Sequence, residues 1–387
     1  MKRRRVAVFG STGSIGRSAL NCLSRLSSRF QVVALAANRS VDILCNQAMR
    51  FQPKWLLVGA PDLADGVRRR LGSRMQVGVG QDILAEVAGS RDVDILIMAM
   101  SGTTGLESVM AALRNGKRVA LATKEILVAY GAPVLRAARH GHAELLPIDS
   151  ELSALHQCLD HRPIETVRRV LLTASGGPFW SRGSRPDARV AEVLCHPTWS
   201  MGPKITVDSA TLANKGLEVM ETVHLFGFAP DQVEAIIHPQ STVHALVEFN
   251  DGSVIAQLSV PDMRLAIQYC LTYPARLSSP AKFLSLPAVR CLEFYQPDMR
   301  RFPCLRLAYQ ALRTDPIGPC IFNAANEVAV RAFLSGQIEF GAIPRIIRSV
   351  LFKLNRTARA SSRITVARLR RIEAQATAFA RELVGRN

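Results

Sequence analysis

The sequence lacks the features that mark secreted, membrane-spanning or zinc-finger proteins. Its eight cysteines include no C-x-x-C pair and no cysteine–histidine spacing suited to zinc, so reduced thiols are expected. No window approaches the roughly 18 uninterrupted apolar residues of a membrane span, and the apolar run after the basic residues 2–5 is too short for a secretory signal. We therefore expect a cytoplasmic protein with no membrane partner.

Acidic and aromatic residues are also scarce. Aspartate and glutamate number 31 against 49 lysines and arginines, and aromatic residues make up 6% of the chain. The excess arginine is spread along the sequence and no aromatic platform accompanies it, so we expect solvated basic faces that attract anionic substrates and no nucleic-acid partner. With 387 residues, 48% of them hydrophobic, the chain is long enough for two or three domains.

Short apolar runs alternate with helical patterns in the first part of the chain, and each run ends at polar residues. This alternation predicts βαβ units and a parallel sheet, with ligands gathering outside the carboxyl ends of the strands. The runs cover residues 5–10, 31–37, 93–100, 118–122 and 144–148.

The pattern changes after Asp149. Residues 243–249 and 254–260 alternate around the turn at 250–252, which predicts an antiparallel hairpin. Five prolines between 274 and 303 mark a connecting segment, and helical patterns follow. We therefore predict an α/β protein with a Rossmann-like parallel sheet, an α+β catalytic domain, a linker and a small C-terminal helical domain, at 1–149, 150–273, 274–303 and 304–387.

Residues 10–16, Gly-Ser-Thr-Gly-Ser-Ile-Gly, space glycines three apart between the first strand and the first helix. Small residues there let the backbone approach a pyrophosphate at a helix N-terminus, so we predict a dinucleotide site. Asn38-Arg39-Ser40 stands where NAD-binding proteins usually carry an acidic residue. A cation and a hydroxyl suit a 2′-phosphate and favour NADP(H); a solvated surface role for Arg39 is the alternative.

Carboxylates follow the last strand of the predicted parallel sheet. Asp149 and Glu151 lie two apart, and on an extended segment they would point to one side and need a cation between them. Glu218 shares a helix face with Asn214 and Lys215. Hard ions such as Mg²⁺ or Mn²⁺ suit these oxygens, whereas a solvated turn and a surface Lys–Glu pair are the alternatives. Asp208 or Ser209 is predicted to cap the helix that carries Glu218.

A series of motifs in order supports a specific resemblance. The motifs are GSTGSIG at 10–16, TKE at 123–125, DSE at 149–151, SGGPF at 175–179, HPTWSMGPKITVDSATLANKGLE at 196–218, HPQS at 238–241, PDMR at 261–264 and NAANE at 323–327. The chain closely resembles the 1-deoxy-D-xylulose 5-phosphate reductoisomerase family from its first strand to its C-terminal helices.

The resemblance implies rearrangement of 1-deoxy-D-xylulose 5-phosphate, by a retro-aldol or a ketol-shift route, and reduction of the resulting aldehyde to 2-C-methyl-D-erythritol 4-phosphate in isoprenoid precursor biosynthesis. It implies a homodimer, NADPH, and Mg²⁺, Mn²⁺ or Co²⁺ held by Asp149, Glu151 and Glu218. The implied substrate contacts are Lys124, Ser150, Glu151, Ser175, His196, Trp199, Met201, Ser209, Asn214, Lys215 and Glu218, of which Ser175, Ser209, Asn214 and Lys215 match the family's phosphate contacts. The implied cofactor contacts are Gly10, Thr12, Gly13, Ser14, Ile15, Asn38, Arg39, Ser40, Thr123, Glu125 and Gly202.

Within this resemblance, residues 195–202 match a flap that closes over the substrate, for which a core position of Trp199 is the alternative. Leu152-Ser153 stands where the family usually has His-Asn, so weaker metal binding is expected. Thr123 replaces an asparagine. Two rival functions stay open: a catalytically weak or silent relative that retains nucleotide binding, and a simple NADP-dependent aldehyde reductase or semialdehyde dehydrogenase. Dependence on a metal discriminates between them.

Overall fold

The chain is described by a computed structural model that covers residues 3–72, 75–181, 183, 185–355 and 364–386. Two compact units divide it. The first unit draws on residues 1–126, 134–153 and 262–282, and the second on 127–133, 154–261 and 283–387. The predicted domain ranges group the chain differently and stay a prediction.

The strands and helices alternate through the first half of the chain. The strands are β1 Arg4–Phe9, β2 Phe30–Ala37, β3 Trp55–Val58, β4 Gln76–Val79, β5 Ile95–Met98, β6 Arg118–Leu121, β7 Leu145–Pro147, β8 Val167–Ala174, β9 Val233–Ile237, β10 Val243–Phe249 and β11 Val254–Leu258. The helices are α1 Ser14–Arg25, α2 Val41–Phe51, α3 Pro61–Leu71, α4 Gln81–Gly89, α5 Leu106–Arg114, α6 Lys124–His140, α7 Ser150–Leu159, α8 Val190–Val193, α9 Pro203–Ala210, α10 Ala213–Phe226, α11 Met263–Thr272, α12 Leu286–Val289, α13 Pro303–Thr314, α14 Gly318–Leu334, α15 Ala342–Asn355 and α16 Val366–Val384.

A seven-stranded parallel sheet forms the centre of the first unit, in the order β4-β3-β2-β1-β5-β6-β7. Its strands are rich in buried β-branched residues, as expected of a sheet covered on both faces; Val6 lies opposite Ile95. The strand order reverses between β1 and β5, so the loops after these strands line the crevice where such sheets bind ligands. The predicted parallel sheet is confirmed.

A helix distant in sequence completes the core of the first unit. Apolar residues of α11, among them Ile267 and Leu271, share one buried cluster with α1 and the sheet. The guanidinium of Arg118 on β6 donates to the carbonyls of Leu271 at 3.2 Å and Tyr273 at 2.9 Å. Arg118 therefore satisfies carbonyls at the C-terminal end of α11, which the helix itself leaves unpaired.

The second unit contains a four-stranded sheet in the order β11-β10-β8-β9. Strand β10 is antiparallel to β11 and β8, and β8 is parallel to β9. The predicted hairpin at 243–260 is thus confirmed as β10 and β11. Val170, Val247 and Val219 belong to the apolar cluster that joins this sheet to α10.

The C-terminal part of the second unit is helical, as predicted. Helix α14 packs against α13, α15 and α16 and buries Phe322 and Ala325 completely. It begins at Gly318, and Pro319 occupies its first turn, where a missing N–H costs nothing. Over the residues that the structure describes, no helix is long and apolar enough to cross a membrane.

Candidate functional site

The glycine-rich loop at residues 10–16 lies at the switch point of the parallel sheet. Gly10 has φ +83°, and a Cβ added to it would lie 2.3 Å from the carbonyl oxygen of Ala99, after β5. A Cβ at Gly16 would lie 2.2 Å from the Gly10 carbonyl oxygen. Residues 12–15 are exposed or half-buried where α1 begins. The loop therefore needs its glycines for close packing and presents backbone N–H groups that suit a pyrophosphate.

The end of β2 presents the three residues predicted to select the cofactor. Asn38, Arg39 and Ser40 directly follow the buried Ala37 and are all exposed. No carboxylate occurs in this triplet, so the only formal charge among these three side chains is that of Arg39. The arrangement suits a phosphate better than a ribose hydroxyl pair.

A buried ion pair lies where β6 and β7 end. Lys124 Nζ lies 2.5 Å from Asp149 Oδ2, and the two side chains are 7% and 10% exposed. The Thr123 hydroxyl donates to the carbonyl oxygen of Met100 at 2.5 Å, and Glu125 is half-buried in the first turn of α6. The structure therefore brings the predicted Lys124 and Asp149 together at the carboxyl edge of the sheet, and Thr123 is bonded to the backbone there.

The Asp-Ser-Glu segment is not extended, and this expectation was wrong. Ser150 begins α7, and Asp149 Oδ1 accepts hydrogen bonds from the backbone N–H of Glu151 at 3.1 Å and Leu152 at 3.3 Å. The Asp149 carboxylate satisfies backbone N–H groups in the first turn of α7 that would otherwise be unpaired, and this favours the helix over an extended segment. The Ser150 hydroxyl donates to Glu151 Oε2 at 2.5 Å.

In the second unit, His196 lies between two serines predicted to contact phosphate. His196 Nδ1 accepts from the backbone N–H of Thr198 at 3.1 Å and Trp199 at 2.9 Å, so the neutral ring carries its proton on Nε2. Nε2 lies 3.0 Å from Ser175 Oγ and 3.1 Å from Ser209 Oγ. Burial lowers the pKa of His196 below its usual 6.5. These three side chains form a compact set of neutral hydrogen-bonding groups.

Residues 194–202, which include the predicted flap, have neither helix nor strand. The indole of Trp199 is half-buried, with its ring centroid 6.4 Å from that of His244. Met201 is half-buried as well, and Gly202 is the exposed residue directly before α9. The half-buried indole excludes the fully buried core position considered for Trp199, and the lid role stays a prediction.

The predicted face of α10 is confirmed. Asn214 Nδ2 donates to Glu218 Oε1 at 2.5 Å, and Lys215 Nζ forms an ion pair with Glu218 Oε2. Glu218 is 1% exposed and Lys215 3%. Because both side chains are buried, the pair is not the solvated surface pair considered as an alternative. The Lys215 ammonium compensates the buried charge of the Glu218 carboxylate.

The predicted cap of α10 was wrong. Asp208 and Ser209 lie inside the preceding helix α9, and Leu212, in the left-handed region at φ 56°, stands directly before α10. The side chain of Thr211 accepts from the backbone N–H of Ala213 at 3.3 Å. Two helices follow each other here, so Ser209 is presented from the last turn of α9.

Sequence reasoning missed Gly177, which sets the distance between the two serine segments. Gly177 has φ +65°, and a Cβ on it would lie 2.8 Å from the carbonyl oxygen of Ser209 and 3.0 Å from Ala210 Cα. The segment after Ser175 thus packs backbone to backbone against α9. The double glycine of the SGGPF motif was the available signal, since only glycine tolerates both conditions.

The fold and these sites define a dinucleotide-binding α/β protein whose second unit carries the hydrogen-bonded cluster of Ser175, His196 and Ser209. Three family models match successive parts of the chain: 1-deoxy-D-xylulose 5-phosphate reductoisomerase over residues 6–131, its C-terminal domain over 145–226, and the DXP reductoisomerase C-terminal domain over 258–379. The chain belongs to the 1-deoxy-D-xylulose 5-phosphate reductoisomerase family.

Individual relatives agree over nearly the whole length. The reductoisomerase of Xanthomonas oryzae pv. oryzae is 48% identical over 362 residues, which are 91% of each chain. The structure resembles the Zymomonas mobilis reductoisomerase in complex with NADPH, with a TM-score of 0.91, 38% identity and 99% of each chain covered. It also resembles a DOX-P reductoisomerase in complex with NADPH, fosmidomycin and magnesium, with a TM-score of 0.94, 36% identity, and 99% and 98% covered.

Proposed function

We propose that this chain converts 1-deoxy-D-xylulose 5-phosphate to 2-C-methyl-D-erythritol 4-phosphate with NADPH and a divalent cation. The observation that carries the proposal is His196 held between Ser175 and Ser209, in a chain that matches the family along its length. Asn214 and Lys215 would add amide and ammonium donors, a mixture that suits a phosphate dianion.

The glycine-rich loop and the end of β2 would hold the cofactor. Backbone N–H groups at the start of α1 suit the pyrophosphate, and the exposed Arg39 suits a 2′-phosphate. NADPH supplies the hydride that reduces the aldehyde. A relative of similar structure was solved with NADPH, which supports this assignment.

Asp149, Glu151 and Glu218 would hold the divalent cation. Carboxylate oxygens are the ligands that Mg²⁺ and Mn²⁺ prefer, and when bound the cation supplies Lewis acidity toward adjacent substrate oxygens. Asp149 and Glu218 each have an ammonium group against them, from Lys124 and Lys215 respectively. An ammonium beside each carboxylate favours its ionised form, which is the form that binds a metal ion, and this supports the proposed role.

The remaining steps belong to the chain's own side chains. The two ammonium groups have donor capacity beyond one carboxylate, so Lys215 can also bind phosphate and Lys124 can approach a reacting oxygen. Ser150, bonded to Glu151, would contact the substrate beside them. Trp199, Met201 and His196 would close the flap and keep water from the aldehyde before reduction.

The rival functions receive less support. A silent relative would not need a buried Glu218 with two donors against it. A semialdehyde dehydrogenase needs a reactive thiolate, whereas burial raises the pKa of Cys22, Cys270 and Cys304 to about 12, and the exposed Cys195 donates its thiol to the carbonyl oxygen of Ala191 at 3.3 Å.

The deciding experiment follows NADPH oxidation at 340 nm with 1-deoxy-D-xylulose 5-phosphate, before and after EDTA and again after Mn²⁺ or Mg²⁺ is restored. We expect oxidation that stops with EDTA and returns with metal. Activity indifferent to chelation, or no oxidation after metal is restored, would defeat the proposal.

We also propose a homodimer. Strand β11 is an edge strand of its sheet, and Val254 and Ile255 on it are 50% and 37% exposed. An exposed edge strand with apolar side chains tends to pair with a strand of another chain, so β11 is a candidate for the dimer contact. Light scattering after gel filtration should give twice the chain mass, and Val254→Lys should shift it toward the monomer. A monomer of wild-type protein at micromolar concentration would contradict this. The free cysteines support the predicted cytoplasmic location.

A further inference from the structure

A buried polar contact joins α9 to α14. Asp208 on α9 is 1% exposed, and its Oδ1 accepts a hydrogen bond of 2.9 Å from Asn326 Nδ2 on α14, a residue with no exposed surface. Lys204, in the first turn of α9, places its Nζ 2.9 Å from Asp208 Oδ2 and 3.6 Å from Glu327 Oε2. Each oxygen of the Asp208 carboxylate therefore faces a different donor.

The geometry of this contact matters more for the placement of α9 than for the stability of the protein. Burying a carboxylate costs free energy that its partners only partly return, and an apolar residue of similar volume would often pack equally well. The carboxylate instead combines one hydrogen bond, from Asn326, which weakens steeply with poor angle, with one ion pair, to Lys204. The contact thereby fixes how α9 is placed on α14.

Helix α9 connects the predicted flap to the cluster of Ser175, His196 and Ser209. It begins directly after Gly202, whose carbonyl accepts from the Thr206 hydroxyl at 2.9 Å, and it ends with Ser209 and Ala210. Ser209 follows Asp208 directly and lies 3.1 Å from His196 Nε2. A shift of this short helix would move both the flap end and the Ser209 hydroxyl.

We propose that Asp208 is a positioning residue that, through Asn326 and Lys204, fixes α9 so that Ser209 meets the substrate phosphate and the flap ends at a fixed point. The inference rests on the proposed function, because it assigns the phosphate to the cluster of Ser175, His196 and Ser209. Nothing in it requires Asp208 to touch substrate.

Exchanging acid and amide tests the contact. In Asp208→Asn the side chain loses its charge and keeps one acceptor oxygen, so Lys204 loses its ion pair and the Asn326 amide either loses its acceptor or must turn over. Asn326→Asp sets two carboxylates against each other. The double variant restores both contacts, because the amide at 208 can accept from Lys204 and donate to the carboxylate at 326.

We expect Asp208→Asn to raise the KM for 1-deoxy-D-xylulose 5-phosphate roughly tenfold, with kcat within about twofold and the KM for NADPH unchanged. Loss of folded protein alone would lower kcat and leave both KM values unchanged. The double variant should return the substrate KM to within about threefold of wild type.

Glu248→Gln is the matched control. Glu248 is also a buried carboxylate of the second unit, where it pairs with Arg168 and Arg169, away from α9. We expect this variant to lower thermal stability and leave the substrate KM unchanged. A substrate KM unaltered in Asp208→Asn, raised equally in Glu248→Gln, or not recovered in the double variant would overturn the proposal.

Binding of inorganic phosphate separates this inference from the proposed function. Calorimetric titration of the full chain with phosphate needs no turnover, and its dissociation constant should rise in Asp208→Asn and recover in the double variant. If wild type does not oxidise NADPH, the proposed function fails while this titration still tests the positioning. If wild type is active and phosphate binding is unchanged in Asp208→Asn, the positioning role fails alone.

Discussion

Substituting Gly177 by alanine should disturb the cluster of Ser175, His196 and Ser209 through the backbone. An alanine at φ +65° costs about 1–2 kcal/mol in the left-handed region. Its Cβ would also lie 2.8 Å from the Ser209 carbonyl oxygen, and relief of such overpacking typically costs about 1–3 kcal/mol. The unfolding free energy should therefore fall by about 2–5 kcal/mol, the sum of these two effects.

Substrate binding should weaken together with stability. The clash between the new Cβ and the Ser209 carbonyl oxygen is relieved most easily when α9 moves away from the segment that follows Ser175. If the cluster holds the substrate phosphate as proposed, separating the Ser175 and Ser209 hydroxyls should raise the substrate KM while the NADPH KM stays constant. Urea denaturation followed by circular dichroism measures the stability loss, and initial rates at varied substrate measure the KM.

Gly252→Ala is the control for the conformational cost alone. Gly252 has φ +85° in the turn between β10 and β11, and a Cβ there would meet nothing within 4 Å. This variant should lose only about 1–2 kcal/mol and keep its substrate KM. Equal stability loss and equal KM in the two variants would show that Gly177 is needed only for its φ, and would refute the close-packing argument.

Three further substitutions test single groups. Arg39→Glu should lower the NADPH-to-NADH ratio of kcat/KM, and an unchanged ratio would remove Arg39 from the cofactor site. His196→Gln removes a base whose pKa burial holds below 6.5, so the stability advantage of wild type over this variant is present above pH 6.5 and should shrink as the pH falls to 5; a constant difference in urea denaturation would contradict this. Lys215→Met should lower the unfolding free energy of EDTA-treated protein by about 3–5 kcal/mol, because the buried Glu218 carboxylate would lose its ammonium partner. A decrease below about 1 kcal/mol would contradict a buried charge at Glu218.

The elements that sequence could predict are those whose signal is local. The β-branched runs ending at polar residues predicted the parallel sheet, and the glycine spacing at 10–16 predicted a nucleotide-binding turn between its first strand and the first helix. The spacing of Asn214, Lys215 and Glu218 gave a shared helix face, because 3.6 residues per turn fixes which side chains meet. Each of these patterns repeats within one element and needs no knowledge of distant residues.

The elements that sequence could not predict depend on residues far apart in the chain. Helix α11 completes the core of the first unit from more than a hundred residues beyond β7, and its end is held by Arg118, which reads as one more surface arginine. Asp208 looked like a helix cap because it precedes a helical pattern, yet its partner Asn326 is 118 residues away. A buried polar pair of this kind has no periodic signal, so only the fold reveals it.

Leu152 stands where the family usually has a histidine, and its structural surroundings bear on the weaker metal binding expected from that difference. Leu152 is fully buried, and its support of Asp149 is a backbone N–H to Oδ1, which any residue except proline can provide. Asp149 Oδ1 also accepts from the N–H of Glu151, while Oδ2 is bonded to Lys124. The orientation of Asp149 therefore does not depend on an imidazole at position 152.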